Sequence, residues 1–181
     1  VRTRAIGVNR IDLHVLTAPA DQVVGMEWSG EVVEVGPESR GFKVGDRVMG
    51  TGPAAYAEYV VTDYGRAVPI TRRDIDWAAA ASATLGLQTM HDALVTRGRL
   101  QRGDAVHMQG AASVMGVIGM QIAQLLGAGL VLGTSGHAAR RDQLKDFGCD
   151  IAIDSSQGDW SRKVLESTSG KGANVVIDNV S

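Results

Sequence analysis

The sequence is short of everything that makes a disulfide scaffold, a membrane protein or a polyanion binder. Its 181 residues contain one cysteine, Cys149. An internal disulfide and any zinc knuckle built from several cysteines are therefore excluded. Beside Gly148, Cys149 reads as a small apolar residue just after a helix rather than as a reactive thiol. The formal net charge is −2, the pI is near 6.1, and there is no basic cluster. A surface dedicated to nucleic acid or anionic lipid is not expected, because such ligands are held chiefly through Lys and Arg. A small-molecule ligand fits better. No apolar run approaches the ~20 residues of a membrane span, and no basic-then-apolar leader opens the chain. Those absences point to a soluble, cytoplasmic protein. The chain opens without Met inside an expected strand and stops just after another, so it reads as a fragment.

What is present centres on residues 104–136, DAVHMQGAASVMGVIGMQIAQLLGAGLVLGTSG. A short apolar run (Ala105, Val106, Met108) enters a cluster of small residues (Gly110, Ala111, Ala112, Ser113, Gly116), then a helical pattern, then a second apolar run at 130–134. Strand, tight turn, helix and strand form the first crossover of a dinucleotide-binding fold. The turn must let a phosphate approach backbone N–H groups and then start a helix whose positive end favours an anion. The glycine positions of G-x-G-x-x-G are filled by Ala111, Ser113 and Gly116, with Gly110 just before.

Residues 1–70 have all-β character, with Val-rich runs at 1–8, 31–35, 44–48 and 56–61 separated by Gly and Pro turns, as in a small barrel. Asp74 or Asp76 caps an expected helix at 77–81, and a second helical pattern runs over 85–95. From Asp104 onward the pattern is βαβαβαβ. Helices are expected at 114–126, 138–147 and 160–168, and strands at 105–108, 130–134, 151–153 and 175–177. In the first of these helices Val114, Ile118, Ile122 and Leu126, flanked by Val117 and Leu125, read as the stripe facing the sheet. Strands alternating with helices imply a parallel sheet with right-handed crossovers in the order 3-2-1-4. The expected domains are 1–98 and 99–181.

With these parts in order, the chain resembles the medium-chain dehydrogenase/reductase superfamily, in its zinc-independent quinone oxidoreductase (zeta-crystallin-like) branch. The matching phrases are VRTRAIGVNRIDLH, GMEWSGEVVEVG, FKVGDRVMG, AAYAEYVV, the small-residue turn followed by MQIAQLLGA, LKDFGCD and GANVVIDNVS. The resemblance implies an α/β protein: a partial GroES-like β-barrel followed by a partial doubly wound Rossmann domain, with the active site between them and a homodimer for the full-length protein. Where the metal-dependent branch begins its zinc site with Cys-His-Thr-Asp and continues with Gly-His-Glu, this chain has Asn9-Arg10-Ile11-Asp12 and Gly25-Met26-Glu27. Asn and Met are poor zinc ligands beside thiolate and imidazole. His14, His91, His107 and His137 lie on separate elements without ligand spacing, so no metal is expected.

The resemblance implies hydride transfer from NADPH to a quinone or to the β-carbon of an α,β-unsaturated carbonyl compound. Placement and hydrogen-bond donors then replace a metal. By carry-over, Asn9 faces the nicotinamide pocket, Asp12 is its partner, Tyr56 lines the pocket wall and Thr89 lies against the cofactor. Gly110, Ala111, Ser113, Val114, Met115 and Gly116 form the pyrophosphate turn, and Ser135, Arg140 and Asn179 also contact the cofactor. Each of four has a plainer reading: Asn9 and Asp12 as a turn pair, Thr89 bonding its own helix, Tyr56 as barrel packing. The strand at 130–134 is followed by Ser135 and Gly136 with no carboxylate to bind a ribose 2′-hydroxyl, and Arg140-Arg141 come next. That favours a 2′-phosphate and hence NADPH, against a plain solvated Arg face. Val114-Met115-Gly116 stand where the branch usually has Gly-Val-Gly, and the Val114 side chain is expected to crowd the pyrophosphate. Alternatives are an enoyl reductase acting on acyl thioesters and a catalytically inactive member kept as a binding or structural protein.

Overall fold

The computed structural model describes residues 1–17 and 22–180, without the side chains of 14–17; the expectation for His14 lies outside the described side chains. The chain divides into two compact units, Val1–Leu85 and Gly86–Ser181. The hand-over thus falls earlier than the 98/99 boundary expected from the sequence.

The first unit is an antiparallel sheet of β1 (Arg2–Gly7), β2 (Glu27–Glu31), β3 (Arg47–Thr51) and β4 (Ala67–Pro69), paired in that order. Its core is Trp28 with Val32, Val48, Ala55 and Val60. The indole faces Gly50 across the β2–β3 ladder, where a Cβ would come within 2.4 Å of the ring. Three strand expectations shift. The run expected at 44–48 lies at Arg47–Thr51, because Val44 and Gly45 make the turn before it. The ladder expected at 31–35 lies at Glu27–Glu31, because beyond Val32, which still bonds Asp46 and Gly45, the chain turns off at Gly36-Pro37. Residues 56–61 form no sheet strand. They touch the start of β1 through an isolated Arg2–Tyr59 bridge and bonds at Thr3 and Val60, where a register shift between Thr3 and Ala5 interrupts β1.

One helix, α1 (Trp77–His91), replaces the two expected, and a π turn at Asp92–Arg97 extends it. Asp76 caps it, its carboxylate accepting from Ala79 N–H at 2.7 Å. The helix runs through Gly86, where a Cβ would meet Ile118 Cδ1 at 2.5 Å, so the glycine is a contact point.

The second unit contains β5 (Ala105–Gln109), α2 (Val114–Leu125), β6 (Leu130–Ser135), α3 (Ala138–Arg141), β7 (Ile151–Asp154), α4 (Trp160–Ser167) and β8 (Val175–Asp178). The four strands are parallel in the order β7-β6-β5-β8, the expected 3-2-1-4. The α2 stripe is a correction. The buried face is Gly116, Gly119, Met120 and Ala123, whereas Val114 and Leu125 are 69% and 85% exposed. At two points the helix comes so close that a side chain does not fit: a Cβ on Gly119 would meet Met108 Cε at 2.6 Å, and one on Gly116 would meet Ala111 O at 2.5 Å. The helix expected at 138–147 is also corrected. It breaks into α3 and a 3-10 turn at Leu144–Phe147, whose tighter winding seats Leu144 in the core, before Gly148 ends it at φ +86°. Cys149 is buried beside Gly133, and burial pushes its thiol up to about 11. No helix among the described residues is long and apolar enough to cross a membrane.

The Gly116 contact is with backbone and cannot be relieved by a rotamer change. Gly116→Ala should lower stability by about 1–3 kcal/mol, read as a shifted denaturation midpoint. Gly158→Ala, with nothing within 4 Å of its Cβ, should change stability by less than about 0.5 kcal/mol. Equal midpoints for the two variants would refute the close approach.

Candidate functional site

The turn leaving β5 is built from backbone bonds. Gly110 takes φ +65°, a conformation open to glycine, and a Cβ there would also meet Val180 at 2.7 Å. Ala111 N–H donates to Thr134 O at 2.9 Å, tying the turn to β6, and Ser113 N–H closes it on Gly110 O at 3.0 Å. Ser113 caps α2, its Oγ accepting from Gly116 N–H at 3.0 Å. Among the described residues, the amides of Val114 and Met115 carry no hydrogen bond. They remain as donors at the positive end of the helix.

Beside this turn lies a cavity of about 550 Å³, within the size range of small-ligand pockets. Of the residues expected to hold a cofactor, Gly110, Ser113, Ser135, Arg140 and Asn179 line it. Ala111 and Gly116 are buried beneath the turn as packing elements. Val114 is not in the lining, and its side chain points to solvent, so it does not crowd the cavity as expected. Met115 packs toward Gly86. Thr89 is exposed on α1 and outside the lining. Asn179 Nδ2 donates to Gln109 O at 3.2 Å, fixing the amide at the end of β8.

The electrostatics of the cavity are one-sided, for among the described residues its charged or titratable lining groups are His137 and Arg140 alone. Arg141 is used structurally, donating to Ser135 O at 2.9 Å and pairing with Asp154 at 3.2 Å. The Arg140 guanidinium has no such partner among the described residues. Sequence reasoning missed His137, Ser155 and Trp160 as lining residues. Ser155 and Trp160 come from after β7, and only the sheet order brings them to the end of β6. The ring of His107 is buried, stacks on Trp160 with centroids 5.5 Å apart, and is held below the usual histidine range by burial, against the opposing pull of Asp178.

A second polar cluster lies in the antiparallel unit. Asn9 N–H donates to Asp12 Oδ2 at 2.7 Å, and Asp12 N–H returns to Asn9 O at 3.0 Å, so the two form a turn pair at the end of β1. Asn9 Nδ2 donates to Glu27 Oε1 at 2.8 Å, and Tyr56 OH donates to Asp12 Oδ2 at 2.7 Å. Glu27, 2% exposed, also accepts from Leu85 N–H at 2.8 Å. Sequence reasoning missed Glu27 as well, taking Gly25-Met26-Glu27 only as the place of a lost zinc ligand. Its signal was Gly7, whose Cβ would come within 2.2 Å of the Glu27 carboxylate; likewise Gly25 makes room for the ring of Tyr56. Among the described residues no group of three or more His, Cys, Asp or Glu could hold a metal ion.

Desolvation, the bond to Asp12 and the charges of Asp12 and Glu27 push the Tyr56 phenol up to about 12. A folded-state value above the ordinary 10 stabilises the fold below pH 10 and loses that contribution as pH rises through 12. Phenolate absorbance should therefore show one of the three tyrosines titrating near 12. In Tyr56→Phe the late titration should vanish, and the fall in stability between pH 10 and 12 should shrink. An unchanged titration curve would refute the buried pairing.

Two family models match the chain: alcohol dehydrogenase GroES-like domain over residues 1–72 and zinc-binding dehydrogenase over 114–181. The quinone oxidoreductase of Pseudomonas aeruginosa is 36% identical over 187 residues, covering 99% of this chain and 57% of that protein. The mycocerosic acid synthase-like polyketide synthase of Mycobacterium tuberculosis is 32% identical over 158 residues, 87% of this chain and 7% of that protein. The crystal structure of Escherichia coli quinone oxidoreductase complexed with NADPH superposes with a TM-score of 0.82 at 28% identity, over 98% of this chain and 56% of that one. The chain thus spans little more than half of the two oxidoreductases. An antiparallel GroES-like unit, a parallel 3-2-1-4 unit with its small-residue turn, and these matches along both place the chain in the medium-chain dehydrogenase/reductase superfamily, in its zinc-independent quinone-oxidoreductase-like branch.

Proposed function

We propose that the protein is an NADPH-dependent oxidoreductase that reduces a quinone or an α,β-unsaturated carbonyl compound without zinc. The observation that carries this reading is the cavity at the end of β6, lined among the described residues by an arginine, a histidine and no carboxylate. An acid there would repel a 2′-phosphate and favour NADH; a free guanidinium attracts one. The solved relative complexed with NADPH supports the same choice.

When bound, NADPH supplies the hydride. The residues of this chain do the rest. The Val114 and Met115 amides and the N-terminus of α2 take the diphosphate, and Arg140 takes the 2′-phosphate. Asn9 has given one amide proton to Glu27 and keeps a second with which to hold a substrate oxygen. Tyr56 has one hydroxyl proton, and it is committed to Asp12. With a phenol pushed up to about 12, Tyr56 is suited to holding Asp12 and the Asn9 turn in place and poorly suited to proton transfer near neutrality. Similarity to a polyketide synthase favours, as a second reading, enoyl reduction on acyl thioesters.

Fluorescence titration should show saturable NADPH binding that weakens about tenfold in Arg140→Ala, the loss of one charge-assisted bond, with NADH affinity unchanged. Equal affinity for both cofactors, indifferent to the substitution, would refute the specificity. Turnover of a benzoquinone or simple enone but not a crotonyl thioester would separate the first reading from the second, and saturable binding with no turnover would leave a binding protein.

A further inference from the structure

We infer that His137 is a second determinant of 2′-phosphate recognition, a specificity-determining residue acting with Arg140 at the rim of the β6 cavity. This deepens the NADPH reading and rests on it. His137 follows Gly136 directly after β6, and its backbone N–H donates to Ser135 Oγ at 3.3 Å. Its carbonyl receives Arg141 N–H at 2.9 Å. The histidine backbone is thus bonded on both sides, whereas Arg140 reaches the cavity on a long, exposed and flexible stem. A short side chain on a fixed backbone loses less rotamer freedom on binding than a long one. Three residues apart, the two side chains line the same cavity, as neighbours at that spacing on a helical turn do.

The surroundings reinforce the choice. The imidazole of His137 bonds to no described residue, and in either tautomer or when protonated it offers an N–H donor. The nearest acid in sequence to Ser155, Asp154, is not in the lining. Its carboxylate accepts from Ser156 N–H and Oγ at 2.9 and 2.7 Å and pairs with Arg141; the Ser156 bonds first, and the Arg141 charge after them, hold it below the usual range. Ser155 Oγ lies 3.7 Å from the point a Gly136 Cβ would occupy, and Ser155 lines the same cavity as His137 and Arg140, so the lining residue contributed from beyond β7 beside Gly136 is a neutral hydroxyl. The rim therefore presents donors from two strand ends around a space without negative charge, the chemistry that a phosphomonoester on a ribose requires.

The test compares NADPH with NADH, and adenosine 2′,5′-bisphosphate with 5′-AMP, by direct binding to the intact protein carrying His137→Ala or His137→Lys. His137→Ala should weaken both 2′-phosphorylated ligands by about three- to tenfold, the loss of one hydrogen bond to a charged group, and leave NADH and 5′-AMP within about twofold. His137→Lys should restore the preference for the 2′-phosphate. A preference for NADPH that survives His137→Ala unchanged overturns this inference alone. So does an equal loss for both members of each pair, which would mark an adenine contact. Failure of the parent protein to bind NADPH, or a preference for NADH, overturns the cofactor reading and this inference together. His137 is exposed, so a folding defect in the alanine variant, visible in its denaturation midpoint, is not expected.

Discussion

The parallel unit depends on one close approach, that of α2 to the backbone of the turn beneath it. Gly116 rests on the Ala111 backbone, while Ala111 N–H bonds Thr134 O on the neighbouring strand. At this point helix and turn meet with no side chain between them, and the helix N-terminus opens on a cavity. The same closeness dictates the small residues along α2. Met108 and Met120 fill the space that Gly119 and Gly133 leave open, flexible side chains suited to irregular gaps.

The antiparallel unit is organised by buried carboxylates. Glu27 and Asp12 are 2% and 6% exposed, and buried carboxylates are tolerable only when hydrogen-bonded. Glu27 accepts from Asn9 Nδ2 and Leu85 N–H, and Asp12 Oδ2 accepts from Asn9 N–H and Tyr56 OH, while Asp12 Oδ1 is buried with no hydrogen-bond partner among the described residues. Asn9 is thus held through both its backbone and its side chain, and the glycines at 7 and 25 admit the groups that hold it. Preorganisation of this kind is what positions a donor for a developing charge. Tyr56, read from the sequence as a candidate for the pocket wall or as barrel packing, donates its hydroxyl to Asp12 within this cluster.

Much of this was legible in the residues. The alternation of apolar runs and helical patterns after Asp104 led to four parallel strands in the order found, because right-handed crossovers leave few alternatives. A cap at Asp74 or Asp76, of which the structure uses Asp76, and Gly148 as a stop follow from local backbone chemistry. What failed did so for tertiary reasons. The large aliphatic residues of α2 looked like its buried stripe, yet the buried face is Gly116, Gly119, Met120 and Ala123, with Val117 and Ile122 only partly buried against the core and Val114 and Leu125 exposed. The helix expected at 138–147 broke where seating Leu144 in the core outweighed continued helical bonding.

By itself the sequence determined the alternation of strands and helices after Asp104, the lack of a cysteine-built metal site and the small-residue turn, since these follow from composition, periodicity and neighbours along the chain. Only the tertiary structure decided which side chains share a cavity and which hydrogen bonds are already taken. Arg140 and Arg141 are adjacent in the sequence, but one lines the cavity and the other is spent on Asp154. Glu27 and Leu85 lie far apart in the chain and meet at 2.8 Å. Those distinctions depend on long-range packing, which brings together groups that no local pattern relates.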